Sequence, residues 1–187
     1  MFNNKFNDTF NQKILFNEDE IKDRVNECAK WLNKYFVGKK KKNNIVVVPI
    51  LDGSICFSSY LLLRLNFKFT LDFYTIKSYR EKISFPKIIK DIDTDVKNKY
   101  VVIIENVIES GRTLEYIIED LKNKDVLDII VVSLINKPEK RKVNIQPHYT
   151  CFVTNEDQLI GWGLDYENKF RNLPYIASIS KNNIKLI

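Results

Sequence analysis

The sequence predicts an α/β fold, a central and mostly parallel sheet flanked by helices, with a small hood added from the C-terminal and N-terminal parts of the chain. Three observations predict it. Residues 45–51, 100–104 and 127–135 are short runs of Ile, Val and Leu, which is the pattern of strands buried on both faces. A mostly apolar segment at 55–65, read as a core helix, and a segment with helical spacing of apolar residues at 114–121 stand between them. Buried strands alternating with helices imply parallel βαβ units. Past Lys137 the pattern changes to short strand-like pieces at 149–153, 159–160 and 175–179, which would form an added flank or hood. The 187 residues form a single domain, with residues 1–13 expected to be a poorly ordered or peripheral extension.

The elements follow in order. Asn17 and Glu20 stand as a capping box, and Ile21, Val25, Cys28 and Leu32 continue at helical spacing, so 18–36 is an amphipathic helix. Lys39 to Lys42 form a basic loop. The first buried strand then runs to Leu51, where Asp52-Gly53-Ser54 turns the chain into the mostly apolar helix 55–65. Phe67, Phe69, Leu71 and Phe73 alternate with Lys68, Thr70 and Asp72, the signature of a half-buried strand facing Asp72 outward. Residues 78–86 are polar and without period, hence a flexible loop. A short strand at Ile88-Ile89 and an acidic turn (Asp91, Asp93, Asp95) lead to the second buried strand. In the following helix Leu114, Ile117, Ile118 and Leu121 form the apolar face.

Composition narrows the function classes. No apolar run reaches the roughly 18 to 20 residues of a membrane span, and the polar start of the chain lacks the features of a signal peptide. The three cysteines lie far apart, which argues against a disulfide framework or zinc site and for a reducing cytoplasm. Thirty Lys and Arg against 24 Asp and Glu give a net charge of +6. The excess is mostly Lys spread along the chain, so nucleic acid is not the favoured partner. The single histidine, His148, follows Pro147 in a loop and is read as a satisfied surface residue, which removes Ser-His-Asp and Cys-His designs.

The chemistry concentrates where strands end. Of five glycines, Gly53 and Gly111 follow core strands, where parallel sheets bind ligands. In 100–114 a buried strand runs into Glu105, Asn106 and Glu109, and Ser110-Gly111-Arg112-Thr113 opens a helix. A helix N-terminus offers free N–H groups to a phosphate, and the Ser110 and Thr113 hydroxyls add donors. Acids beside such a cradle serve ribose hydroxyls, a metal or proton transfer. No Walker loop and no dinucleotide fingerprint is present.

This segment resembles the phosphoribosyl pyrophosphate motif of type I phosphoribosyltransferases: an apolar strand, two acidic positions, two apolar residues, an acid, then Ser/Thr-Gly-x-Thr. Leu51-Asp-Gly-Ser54, Ser78-Tyr79, Ser133-Leu-Ile-Asn-Lys137, Ile160-Gly-Trp-Gly-Leu-Asp-Tyr166 and Phe170-Arg-Asn-Leu-Pro-Tyr175 are similar, in order, to motifs of the hypoxanthine-guanine branch. The likeness runs from about Ile14 to Ser180.

The resemblance implies a role at each matching position. Ser110, Gly111, Arg112 and Thr113 would hold the 5′-phosphate, and Glu105 and Asn106 would meet the ribose hydroxyls. Leu51, Asp52, Gly53 and Arg171 would hold pyrophosphate, with Ser78 and Tyr79 on a mobile loop. Val107, Lys137, Gln158, Leu159 and Asp165 would surround the purine, Lys137 donating to its 6-oxo group and the main chain of Leu159 reading its edge. Guanine's amino group would be read by main-chain carbonyls. Glu109 would be the catalytic proton acceptor near N7, and Glu105 and Asp165 would hold Mg2+. The family assembles as homodimers or homotetramers.

Four positions depart from the family pattern. Asn106 and Glu109 stand where Asp is usual, Gln158 where an aromatic residue stacks on the base, and Asp52 where the pyrophosphate loop has a non-acidic residue. The expected function is transfer of a phosphoribosyl group from phosphoribosyl pyrophosphate to hypoxanthine or guanine. The departures and the basic charge motivate the alternative, a non-catalytic or regulatory protein binding nucleotide or RNA on the same fold.

Overall fold

The computed structural model describes residues 12–38, 44–77 and 86–179. Its centre is a seven-stranded sheet. β2 (Ile45–Leu51) lies beside β6 (Tyr100–Ile108), followed by β7 (Asp128–Asn136) and β8 (Tyr149–Val153), all parallel. On its other side β2 pairs in parallel with β3 (Thr70–Leu71) and then β4 (Tyr74–Lys77), and β5 (Lys87–Lys90) closes this edge antiparallel to β4. This is the expected mostly parallel α/β sheet.

Alternate residues of one strand explain the unbroken apolar runs. Val47, Val102, Ile104, Ile130 and Val132 face a core under α1 (Glu18–Tyr35) and α2 (Ile55–Leu62). Their neighbours Val46, Val48, Val101, Ile103 and Val131 face a second core with Leu114, Ile117 and Leu121 of α3 (Arg112–Asn123). With helices on both faces, both side-chain sets are buried and no polar alternation survives. α1 starts at the predicted capping box: the Glu20 N–H donates to Asn17 Oδ1 at 3.0 Å, and the Asn17 N–H donates to the Glu20 carboxylate at 2.8 Å.

The hood is a separate antiparallel sheet in the order β1 (Gln12–Phe16), β10 (Ile176–Ile179), β9 (Gln158–Ile160). Strand β1 thus takes up Gln12 and Lys13 of the expected 1–13 extension, whose first 11 residues lie outside the described residues. The basic loop and most of the predicted 78–86 loop also lie outside them. Of the pieces expected in an added flank or hood, residues 149–153 form a flank of the central sheet, because β8 continues the parallel ladder on β7 at its edge. One expectation is corrected. The alternation over 67–73 does not hold: Leu71 is exposed, and Asp72 is buried at 7% exposure.

Asp72 is buried because every partner it needs is there. Its carboxylate accepts the N–H groups of Phe73, Asp93 and Thr94 at 2.8 Å and pairs with Lys90 at 3.0 Å. Burial acts to raise its pKa, but the Thr94 N–H, the Lys90 ammonium and the Phe73 N–H outweigh it and hold the carboxyl well below the usual carboxylate range. The folded value lies below the unfolded value of about 3.9. Its stabilisation is therefore complete above that pH and lost as acid protonates the folded form. Asp72→Ala should cost about 2 to 3 kcal/mol at pH 7, since three N–H groups lose their acceptor. The difference from wild type should shrink on acidification below pH 4. Denaturant melts at pH 7 and pH 3 check this; a cost equal at both pH values contradicts it.

No helix among the described residues is long and apolar enough to cross a membrane, and Cys28, Cys56 and Cys151 are all free thiols.

Candidate active site

A cleft of about 950 Å³ opens above the carboxyl ends of β2, β6 and β7, with the hood as its far wall. Each strand delivers one piece of its lining. β2 ends at Leu51, joined to Asp52 by a cis peptide bond, and Gly53 follows. β6 runs four residues past the expected strand end and carries Glu105, Asn106 and Val107 to the rim, with Glu109 just beyond it. β7 ends at Asn136, and Lys137 follows. From the hood come Gln158, Leu159, Asp165 and Arg171.

Ser110, Gly111 and Thr113 line the cleft at the start of α3. Gly111 takes φ +81° at the N-cap, and a Cβ there would stand 2.7 Å from Val143 Cγ2 and 2.9 Å from Arg141 Cδ. The segment 141–145 therefore packs directly behind the loop, and the Lys142 N–H donates to the Ser110 carbonyl at 2.9 Å. Arg112 is exposed and not among the residues lining the cleft; its main-chain N–H lies 3.4 Å from Ser110 Oγ.

The acidic strand end is electrostatically distinctive. Burial pushes Glu105 up to about 7, against the opposing pull of the Asn106 and Val107 N–H groups. Asn106 is 1% exposed. Its Nδ2 donates to the Trp162 carbonyl at 3.1 Å, and its Oδ1 is buried without a partner. An Asp could not donate that bond. Asn106 therefore ties the end of β6 to the Gly161-Trp162-Gly163 turn.

Lys137 is 1% exposed. Its ammonium forms an ion pair with the Glu109 carboxylate and donates to the Asp157 carbonyl at 2.8 Å. Burial holds the Lys137 pKa below the usual lysine value, partly opposed by Glu109. Glu109 and Lys137 are neighbours across the paired ends of β6 and β7, where the Lys137 N–H donates to the Ile108 carbonyl at 2.9 Å. Arg171 is partly committed: it pairs with Asp165 at 3.1 Å and donates to the Gly163 carbonyl at 2.6 Å. The Gln158 amide donates to the Asp165 carbonyl at 3.1 Å and the Leu159 carbonyl at 3.4 Å.

The profile of the phosphoribosyl transferase domain matches residues 11–169. The hypoxanthine-guanine phosphoribosyltransferase of Streptococcus mutans is 33% identical over 174 residues, covering 91% of this chain and 94% of the relative. The chain belongs to the phosphoribosyltransferase family, in its hypoxanthine-guanine branch. The bifunctional protein TilS/HprT of Listeria monocytogenes is 36% identical over 169 residues, 89% of this chain but 26% of that longer protein. A crystal structure of the Staphylococcus aureus hypoxanthine phosphoribosyltransferase superposes with a TM-score of 0.88 at 32% identity, covering 97% of this chain and 98% of that one.

On this phosphoribosyltransferase the residues singled out in sequence gather in one cleft, apart from Arg112 and from Ser78 and Tyr79, which lie outside the described residues. The sequence reading missed Glu167 and Asn168, which line the cleft at φ +50° and +63°, and the Asp157 carbonyl that accepts from Lys137. The left-handed pair has no marker beyond the Asn, and a main-chain acceptor has none at all. His148 is exposed, its Nδ1 accepting the Val131 N–H at 3.1 Å, and it does not line the cleft.

Proposed function

We infer that the protein is a purine-salvage transferase that moves the phosphoribosyl group of phosphoribosyl pyrophosphate to hypoxanthine or guanine, giving the nucleoside monophosphate and pyrophosphate. The observation that carries the reading is the buried Lys137 amine in the same cleft as a helix-N-terminal hydroxyl loop, with an acidic strand end between them. Such a cleft suits a 6-oxopurine at one end and a 5′-phosphate at the other.

In this reading the Ser110–Thr113 loop binds the 5′-phosphate through N–H groups and hydroxyls. Glu105 and Asn106 hold the ribose hydroxyls, and Leu51, Asp52, Gly53 and Arg171 flank the pyrophosphate. Lys137 donates to the 6-oxo group, and Val107, Gln158, Leu159 and Asp165 surround the base. The bond from the ribose C1 to pyrophosphate oxygen breaks as the base nitrogen bonds to C1, and the proton the base loses passes to Glu109, the catalytic base.

Mg2+ belongs to the same proposal. Among the described residues no three side chains gather as a metal cage. Mg2+ is commonly held by one or two carboxylates together with phosphate oxygens and water, and Glu105 and Asp165 in one cleft fit that demand. When bound, the ion would neutralise charge on the leaving pyrophosphate. Asp165→Asn should raise the magnesium needed for half-maximal turnover about tenfold, one lost contact of about 1.4 kcal/mol. An unchanged magnesium titration removes Asp165 from the set. Assembly as a homodimer or homotetramer and a reducing, cytoplasmic setting, supported by the three free thiols, complete the proposal.

The test is release of pyrophosphate from phosphoribosyl pyrophosphate by the purified protein with magnesium and hypoxanthine or guanine. Release that requires the purine supports the assignment; no release with either base overturns it.

A further inference from the structure

We propose that Gln158 makes this chain select purines that lack an amino group at C2, so that hypoxanthine is strongly preferred over guanine. The inference rests on the transferase reading above and names the substrate of that site more narrowly.

The Gln158 amide does not lie free in the cleft. Its nitrogen has two hydrogens, and two main-chain carbonyls stand within hydrogen-bonding distance of it, Asp165 at 3.1 Å and Leu159 at 3.4 Å. Both residues line the cleft. Two carbonyls converging on one NH2 group form an acceptor pair for an amino group, and here the chain's own amide fills it.

The place of this pair relative to the base is set by the same segment. Lys137, the donor for the 6-oxo group, is anchored on the carbonyl of Asp157. The Leu159 carbonyl is two residues further along, in β9, which begins just after the bend at Asp157. Lys137, Leu159 and Asp165 line the same cleft, and a purine carries its 6-oxo group and its C2 substituent on one edge. A base whose 6-oxo group meets Lys137 thus turns its C2 substituent toward the carbonyls that hold Gln158.

The segment cannot easily yield. Leu159 and Ile160 are buried, and β9 is paired to β10. Asp157 is held at its carbonyl by Lys137 and at its side chain by Lys140, 2.6 Å away. Guanine can satisfy its amino group on the two carbonyls only by expelling the Gln158 amide from a half-buried site, which strands that amide's hydrogens. Hypoxanthine carries only C–H at this position and leaves the amide in place. Xanthine gains nothing, because both amide hydrogens are already directed at carbonyls.

Initial rates with saturating phosphoribosyl pyrophosphate and magnesium, with hypoxanthine and guanine as competing bases, test this on the wild type and on Gln158→Leu. The wild type should show a kcat/KM ratio of hypoxanthine to guanine of about ten or more, equivalent to about 1.4 kcal/mol. Leu keeps the bulk but not the donors, so the variant's ratio should move toward guanine by about tenfold. A wild type that uses guanine as well as hypoxanthine overturns the proposal and needs no variant to do so, which keeps the test decisive if Gln158→Leu does not fold. A ratio unchanged in a folded variant overturns it too. In both cases the transferase reading stands, since turnover is observed. Absence of turnover with either base overturns that reading, and this one with it.

Discussion

Lys137→Ala is expected to lower kcat/KM for hypoxanthine by roughly 10- to 150-fold while leaving the affinity for phosphoribosyl pyrophosphate within a few-fold of wild type. The amine is buried yet faces the cleft, and a hydrogen bond from a charged donor is worth about 1.5 to 3 kcal/mol. Removal has a second consequence. Glu109 loses its ion-pair partner, so the proposed proton acceptor is no longer oriented, and the effect should fall partly on kcat. Lys137→Met preserves most of the aliphatic stem and separates loss of charge from a cavity. Steady-state kinetics for the base, calorimetry for phosphoribosyl pyrophosphate and a thermal melt of each variant make the comparison. An equal loss for both substrates would show that Lys137 holds the fold of the cleft and does not read the base.

Gly161→Ala should be the most damaging single methyl addition in the site. Gly161 has φ +94°, where L side chains are strained, and the added Cβ would lie 1.9 Å from the Tyr175 carbonyl oxygen. That oxygen is main chain and has no rotamer with which to move aside. The turn is closed by reciprocal N–H to carbonyl bonds between Gly161 and Leu164 at 3.0 and 2.9 Å, and β9 and β10 pair through Ile160 and Ala177 beside it. Accommodating the methyl means separating these strands. A loss of roughly 3 kcal/mol or more is expected, within the upper range for point substitutions. For a chain of this size that lowers Tm by about 6 to 12 °C. Since Leu159 and Asp165 flank the turn, base affinity should fall with stability. A variant that melts and binds like wild type would mean the two backbones can separate at little cost.

Much of this was legible from side-chain identities. The capping box at Asn17 and Glu20 forms as read, because its partners are three residues apart and need no tertiary help. The strands at 45–51, 100–104 and 127–135 were visible because burial on both faces leaves an apolar run that other elements of this length rarely show. The proposed phosphate loop was visible because Ser110, Gly111 and Thr113 follow such a run. For Asp72 the two levels disagree: period-two alternation assigns its carboxylate to solvent, and only the arrival of Lys90, Asp93 and Thr94 from later in the chain makes the inside its better place. For residues 149–153 the sequence leaves flank and hood both open, since a five-residue strand carries no mark of its neighbour, and only the fold places them beside β7.

By itself the sequence determined the order of βα units, the two-faced core, and which residue types stand at the strand ends, because periodicity and local spacing encode these directly. The tertiary structure alone decided how those residues are engaged. Glu109 meets Lys137 across 28 positions of chain, Asn106 meets the Trp162 carbonyl across 56, and the Gln158 amide reaches the Asp165 carbonyl across seven. Two of these three partners are main-chain oxygens, and every residue of the chain carries one. Only folding makes one carbonyl differ from another, by bringing it to the end of a particular side chain.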